Sequence, residues 1–142
     1  MNEIETTQVS GAGAARPADE KKGPADWLAK ARGIQAEERV LKVCRSEGRP
    51  EWMKTARHAT RQEDHAGIDI LLETDVGRLY LQVKSSYRGV ERFLATPGAE
   101  GERRRRARIA VVMVRPEDLD SGVMRRVVIA VGGVREGYLT RR

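Results

Sequence analysis

Apolar residues spaced by three and four open the readable part of the chain. Pro24 suits the first turn of a helix running to about Glu47, with Gly48 to close it. At about 100° per residue, Gly33, Ile34, Val40, Leu41 and Cys44 fall on one stripe of that helix. Pro50 resets the pattern. Trp52–Thr60 then reads as a strand, and the alternating runs Gly67–Thr74 and Leu79–Ser85 as two more, joined across Asp75-Val76-Gly77-Arg78 in a hairpin. Tyr87–Ala95 fits a short helix before Pro97-Gly98, and the polar stretch Gly98–Ala107 reads as a loop. Arg108–Val114 is nearly all apolar, as in a strand covered on both faces.

The last stretch is ambiguous, because Arg126–Val131 also fits a strand. A helix is preferred: Asp120 or Ser121 can cap it, Val123, Met124, Val127, Val128, Ala130 and Val131 form one face, and Gly132-Gly133 can end it. The predicted fold is α/β: helix, three strands, helix, strand and a C-terminal helix, with a mixed sheet flanked by helices. Residues 1–23 are polar and Gly/Ala-rich without periodicity and read as a disordered leader, leaving 24–142 as a single domain.

Composition limits the function classes. With 142 residues, 39% hydrophobic and 34% charged, the chain can fill one modest core. No window approaches the roughly 18 consecutive apolar residues of a membrane span, so no membrane role is expected. A single cysteine, Cys44, excludes an internal disulfide and any multi-cysteine zinc site, and a cytoplasmic location is expected. The net charge of +6 is unevenly placed. Residues 1–87 carry 14 basic and 14 acidic side chains, residues 88–142 carry 13 and 7. A one-sided basic surface attracts polyanions, nucleic acid foremost, although an arginine-rich solvated surface produces the same count.

The chemistry concentrates in Glu63–Ser86. Strand side chains alternate between faces, so Asp69 parts from Ile68 and Ile70, while Gln82 and Lys84 part from Leu81 and Val83. Pairing Thr74 with Leu79 would set Asp69 opposite Lys84 and put Asp69, Gln82 and Lys84 on one face; a one-residue slip would separate them. On spacing alone, a plain cross-strand ion pair on a wet face is the simpler account of Asp69 and Lys84. Glu37 shifts the balance, because it stands at the angular centre of the apolar stripe. Glu37 and Asp69 would then offer hard oxygen ligands to a divalent cation, with Lys84 beside them. Glu38, about 100° round the helix, is the alternative helix ligand.

At these residues the chain resembles the PD-(D/E)xK nuclease superfamily: a carboxylate in Gly67-Ile68-Asp69, a short hairpin, then Gln82-Val83-Lys84. The helix pattern Gly33, Glu37, Val40, Cys44, Gly48 is similar to that of its resolvase-like branch. Gln82 stands where most members carry Asp or Glu, whereas Mrr-like enzymes carry glutamine there. The resemblance spans roughly residues 24–114. It implies a restriction endonuclease-like α-β-β-β-α-β core and magnesium, with manganese as a substitute. Asp69 would be the principal ligand, assisted by the Gln82 side-chain oxygen, the Val83 carbonyl and Glu37. Lys84 would position the attacking water or offset charge on the phosphate.

Arg103, Arg104, Arg105 and Arg106 form a basic run that reads either as a solvated loop or as a phosphate clamp beside the site. Asp64 and His65 precede the strand as candidate outer-shell groups, with solvated roles as the plainer reading. The expected function is metal-dependent hydrolysis of DNA phosphodiesters. The alternative is a non-catalytic nucleic-acid-binding module or partner subunit of the same fold. A homodimer or a larger assembly would supply target choice that so short a chain has little room for.

Overall fold

Helix α1 (Pro24–Cys44) carries Asp26 in its first turn and Lys42 in its last, each complementary to the helix dipole at its own end. The computed structural model describes residues 24–141, so the expected leader over 1–23 lies outside the described residues. By its contacts the chain divides into residues 1–31 and 32–142, and the sheet belongs wholly to the second unit. Helix α1 stops at Cys44, short of the expected Glu47, where Ser46 bonds back to the Val43 carbonyl through both its N–H and its hydroxyl. Its buried residues begin at Ala36 and continue through Val40, Leu41, Val43 and Cys44. Ile34 shares the azimuth of Leu41 but lies two turns earlier, beyond the edge of the core, and is 55% exposed.

Strand β1 (Met53–His58) is shorter than the expected Trp52–Thr60, because Thr60 begins a one-turn helix, α2 (Arg61–His65). The Thr60 hydroxyl accepts from the Glu63 N–H while the Glu63 carboxylate accepts from the Thr60 N–H, a reciprocal cap that consumes the end of the predicted strand. Strands β2 (Ile70–Thr74) and β3 (Gly77–Lys84) form the hairpin. Thr74 pairs with Gly77 rather than Leu79. The Thr74 hydroxyl accepts from Val76 N–H and donates to the Gly77 carbonyl, and Gly77 takes a φ of 106° that other residues rarely adopt. This tight turn moves the register two residues from the predicted one. A two-residue shift preserves parity, so the division of side chains between faces is unchanged.

Helices α3 (Tyr87–Leu94) and α4 (Gly98–Ala107) follow, then strand β4 (Ala110–Met113) and helix α5 (Asp120–Leu139). Among the described residues the sheet has four strands in the order β1-β2-β3-β4, the first three antiparallel and β4 parallel to β3. One face carries Ile70, Leu72, Leu79, Leu81, Val83, Ala110, Val112 and Val114 and packs with Val40 and Cys44 of α1 and Val123, Val127 and Val131 of α5. No described helix is long and apolar enough to cross a membrane.

Two further elements depart from expectation. Residues 98–107 form a helix, not a loop. Ala, Glu and Arg are good helix formers and Glu100 pairs with Arg104 one turn on, but the only residue the helix buries is Gly101, so no apolar stripe announces it. Helix α5 does not end at Gly132-Gly133, because Val134 and Tyr138 continue its packing against the core. Leu119, not Asp120 or Ser121, is its N-cap; Asp120 instead pairs with Arg39 and Lys42 of α1. A methyl group on Gly133 would meet nothing within 4 Å. Gly133→Ala should therefore stabilise the chain by roughly 0.4–1 kcal/mol, read as a rise of a few degrees in melting temperature.

Candidate active site

The face of the sheet opposite the core carries the polar residues. Leu71 pairs with Tyr80 across the hairpin, and Asp69, Gln82 and Lys84 share their parity. Asp69 lies just before β2, where its N–H still reaches the Leu81 carbonyl at 2.9 Å, so it sits across from Gln82 rather than Lys84. Its carboxylate turns along the sheet and accepts from the Val83 N–H at 2.7 Å. Asp69 and Gln82 are both buried, at 8% and 7% exposure.

A cleft of about 290 Å³ opens over them, lined by Asp64, Gly67, Asp69, Gln82, Lys84, Arg92, Phe93 and Arg104. Three of the residues singled out in the two strands thus border one space. Burial pushes the Asp69 carboxyl up, and the nearby Asp64 charge adds to this; the Val83 hydrogen bond, Lys84 and His58 oppose it. Glu37, half-buried on α1, is pushed up to about 7, first by burial, then by the charges of Asp69, Asp64 and Glu38, with Lys84 opposing. Glu37 is not among the residues that line the cleft, and its link to Asp69 is the electrostatic one alone. Glu38 is exposed and pairs with His58 at 3.3 Å. Of the two helix carboxylates, Glu37 is the one held back from solvent.

A raised carboxyl has a testable consequence. The folded chain holds the Glu37 proton up to about pH 7, whereas the unfolded chain releases it near 4.5. Folded protein binds more protons across that window, so this group's contribution is complete below about 4.5 and fades as pH rises to 7. In EDTA, the stability of Glu37→Gln should fall less over pH 4.5–7 than that of the parent, as checked by melting temperature at each pH.

Among the described side chains, two buried polar atoms have no hydrogen-bond partner: Gln82 Oε1 and Arg104 Nε. Both residues line the cleft. A buried amide oxygen without a donor is costly, and a cation beside it removes the cost. Among the described residues no group of three or more His, Cys, Asp or Glu side chains is placed to hold a metal ion. Magnesium does not demand such a group, since one or two carboxylates with waters and substrate oxygens satisfy its octahedral shell. Asp69 with the partnerless Gln82 oxygen is a donor set of that kind.

No family model matches the chain, and neither the curated proteins nor the solved structures provide a match.

The arginine run divides. Arg103, Arg105 and Arg106 are exposed on α4, whereas Arg104 turns inward. Asp64, weighed in the sequence as a solvated acid, borders the cleft and raises both carboxyls, although its own side chain is exposed. Arg92 and Phe93 were not singled out in the sequence at all. Phe93 is the chain's one phenylalanine and the one buried residue of α3, a signal that was legible as an anchoring point for that helix.

Proposed function

We propose that the chain is a metal-dependent nuclease of restriction endonuclease-like fold that hydrolyses DNA phosphodiester bonds at this cleft. The observation that carries the reading is the buried carboxylate of Asp69 across from a buried, partnerless Gln82 oxygen, with Lys84 lining the same space. The element order supports it: leaving aside α2 and α4, the described chain runs α-β-β-β-α-β before its C-terminal helix.

In this reading Asp69, fixed by the Val83 N–H, and Gln82 hold the cation, with Glu37 and the Val83 carbonyl completing the set that the resemblance implies. Bound magnesium supplies Lewis acidity toward the scissile phosphate and lowers the pKa of water. Lys84 Nζ orients the attacking water and offsets negative charge growing on the phosphate oxygens. The basic surplus of residues 88–142 draws DNA to the surface by counterion release.

A second reading is a non-catalytic nucleic-acid-binding module or partner subunit, which the basic surplus of residues 88–142 serves without a metal. The two part in a cleavage assay. Purified protein with magnesium or manganese should cut at least one of a panel of linear, branched and methylated DNAs, and EDTA should stop it. Failure to cut any of them, together with no divalent-ion binding by calorimetry, would leave the binding module.

A further inference from the structure

Arg104 is held as its neighbours in the run are not. Its guanidinium lies 4.5 Å from the centroid of the Phe93 ring, and Lys84 Nζ lies 5.7 Å from the same centroid. One ring therefore carries both cations, and both line the cleft that holds Asp69 and Gln82. Arg104 is pinned further by a 2.8 Å bond to the Thr96 hydroxyl and a 3.0 Å bond to Glu100. Its Nε presses against the backbone at Gly67, where a Cβ would sit 2.8 Å from it and 3.0 Å from Phe93. Gly67 also has a φ of 93°, so a side chain there would be strained as well as crowded. The glycine that precedes Ile68-Asp69 makes room for this arginine.

The electrostatics leave a gap. Lys84, Arg92 and Arg104 converge on a cleft whose acids are Asp64 and Asp69; Asp69 is already engaged with the Val83 N–H, and Glu100, outside the cleft lining, pairs with Arg104. Lys84 and Arg104 border the same cleft, and an anion bound there offsets the repulsion between their charges. A planar guanidinium with its plane fixed by an aromatic ring is suited to a phosphate, which it meets with paired hydrogen bonds.

We infer that Arg104 and Lys84 together grip a single phosphodiester phosphate of the bound nucleic acid, and that Phe93 and Gly67 are positioning residues that hold Arg104 for it. The inference rests on the reading of this cleft as a nucleic-acid site, but not on cleavage. It makes Arg104 a substrate-binding residue, set apart from the solvated charges of Arg103, Arg105 and Arg106.

The test is a binding titration of fluorescein-labelled duplex DNA in EDTA at several salt concentrations. Arg104→Ala should weaken binding by about tenfold or more at fixed salt, the scale of lost hydrogen bonds to a charged group. It should also lower the salt slope by about one unit. Arg104→Lys, which keeps the charge without the stacked fork, should restore the slope and only part of the affinity. In a double-mutant cycle with Lys84→Ala, Arg104→Ala should couple by threefold or more, whereas Arg105→Ala should be additive. If Arg104→Ala does not fold, the same cycle run with Arg104→Lys and with Phe93→Leu decides. Wild-type affinity in the Arg104 variants, or strict additivity with Lys84→Ala, overturns the inference even if the protein cuts DNA. Coupling in a protein that cuts nothing would retain the grip and remove the nuclease.

Discussion

Asp69→Asn should abolish metal-dependent cleavage and yield a protein that melts at least as high as the parent at pH 7. The two halves have different causes. Burial raises the Asp69 carboxyl, so the ionised form is disfavoured in the folded chain and its removal relieves that cost at pH 7. Asparagine keeps a side-chain oxygen for the Val83 N–H, which Asp69 accepts at 2.7 Å, but loses the negative charge that holds a divalent cation. Asp69→Ala should also abolish cleavage. It strands the Val83 N–H, however, at about 1–3 kcal/mol, so it should melt below Asp69→Asn. Lys84→Ala should stop cleavage while manganese still binds by calorimetry, because Nζ acts on water and phosphate rather than on the ion. Gln82→Glu should bind the ion at least as tightly, since it adds a charge where the partnerless oxygen now lies. Undiminished cleavage by Asp69→Asn would place the chemistry elsewhere.

How much of this was legible in the sequence depended on parity more than on pairing. Alternation along β2 and β3 puts Asp69, Gln82 and Lys84 on one face whatever the even shift in register, so the face was readable although the predicted partner, Leu79 for Thr74, was wrong by two residues. The error came from the turn. A four-residue connection was read where the Thr74 hydroxyl and the positive φ of Gly77 close a two-residue one. Glu37 was readable as the carboxylate within an apolar stripe, whereas the pairing of the exposed Glu38 with His58 on β1 shows in no helix pattern.

What escaped the sequence lacks an apolar signature. Helix α4 buries a glycine, so its presence is written only in helix propensity. The far end of α5 was hidden by Gly132-Gly133, whose cost of roughly 1 kcal/mol each is outweighed by burial of the valine row. Arg104 looks like its three neighbours in a list of residues. Only the closeness of Phe93, Thr96 and Gly67 distinguishes it, and that closeness is tertiary.

Gly101→Ala should destabilise the chain even though alanine is the better helix former. Replacing a glycine inside a helix ordinarily gains up to about 1 kcal/mol. Here the added Cβ would stand 1.8 Å from the Thr96 carbonyl oxygen, a backbone atom that cannot swing aside as a side-chain tip can. Either α4 lifts away or the Thr96–Pro97 turn moves, and overpacking of this kind costs roughly 1–3 kcal/mol or more. The net change should be a loss, seen as a melting temperature lower by several degrees. The displacement also reaches the cleft, because Arg104 is on the next turn of α4 and bonds to the Thr96 hydroxyl on the other side of the contact. Gly101→Ala should therefore weaken DNA binding in EDTA in the same direction as Arg104→Ala, at a temperature where the variant is fully folded. Gly98→Ala, where no atom lies within 4 Å, meets no clash and its cost is confined to the positive φ of 68°. If Gly101→Ala melts above the parent, α4 does not pack on the Thr96 carbonyl as described, and the path from that turn through Arg104 to the cleft is lost with it.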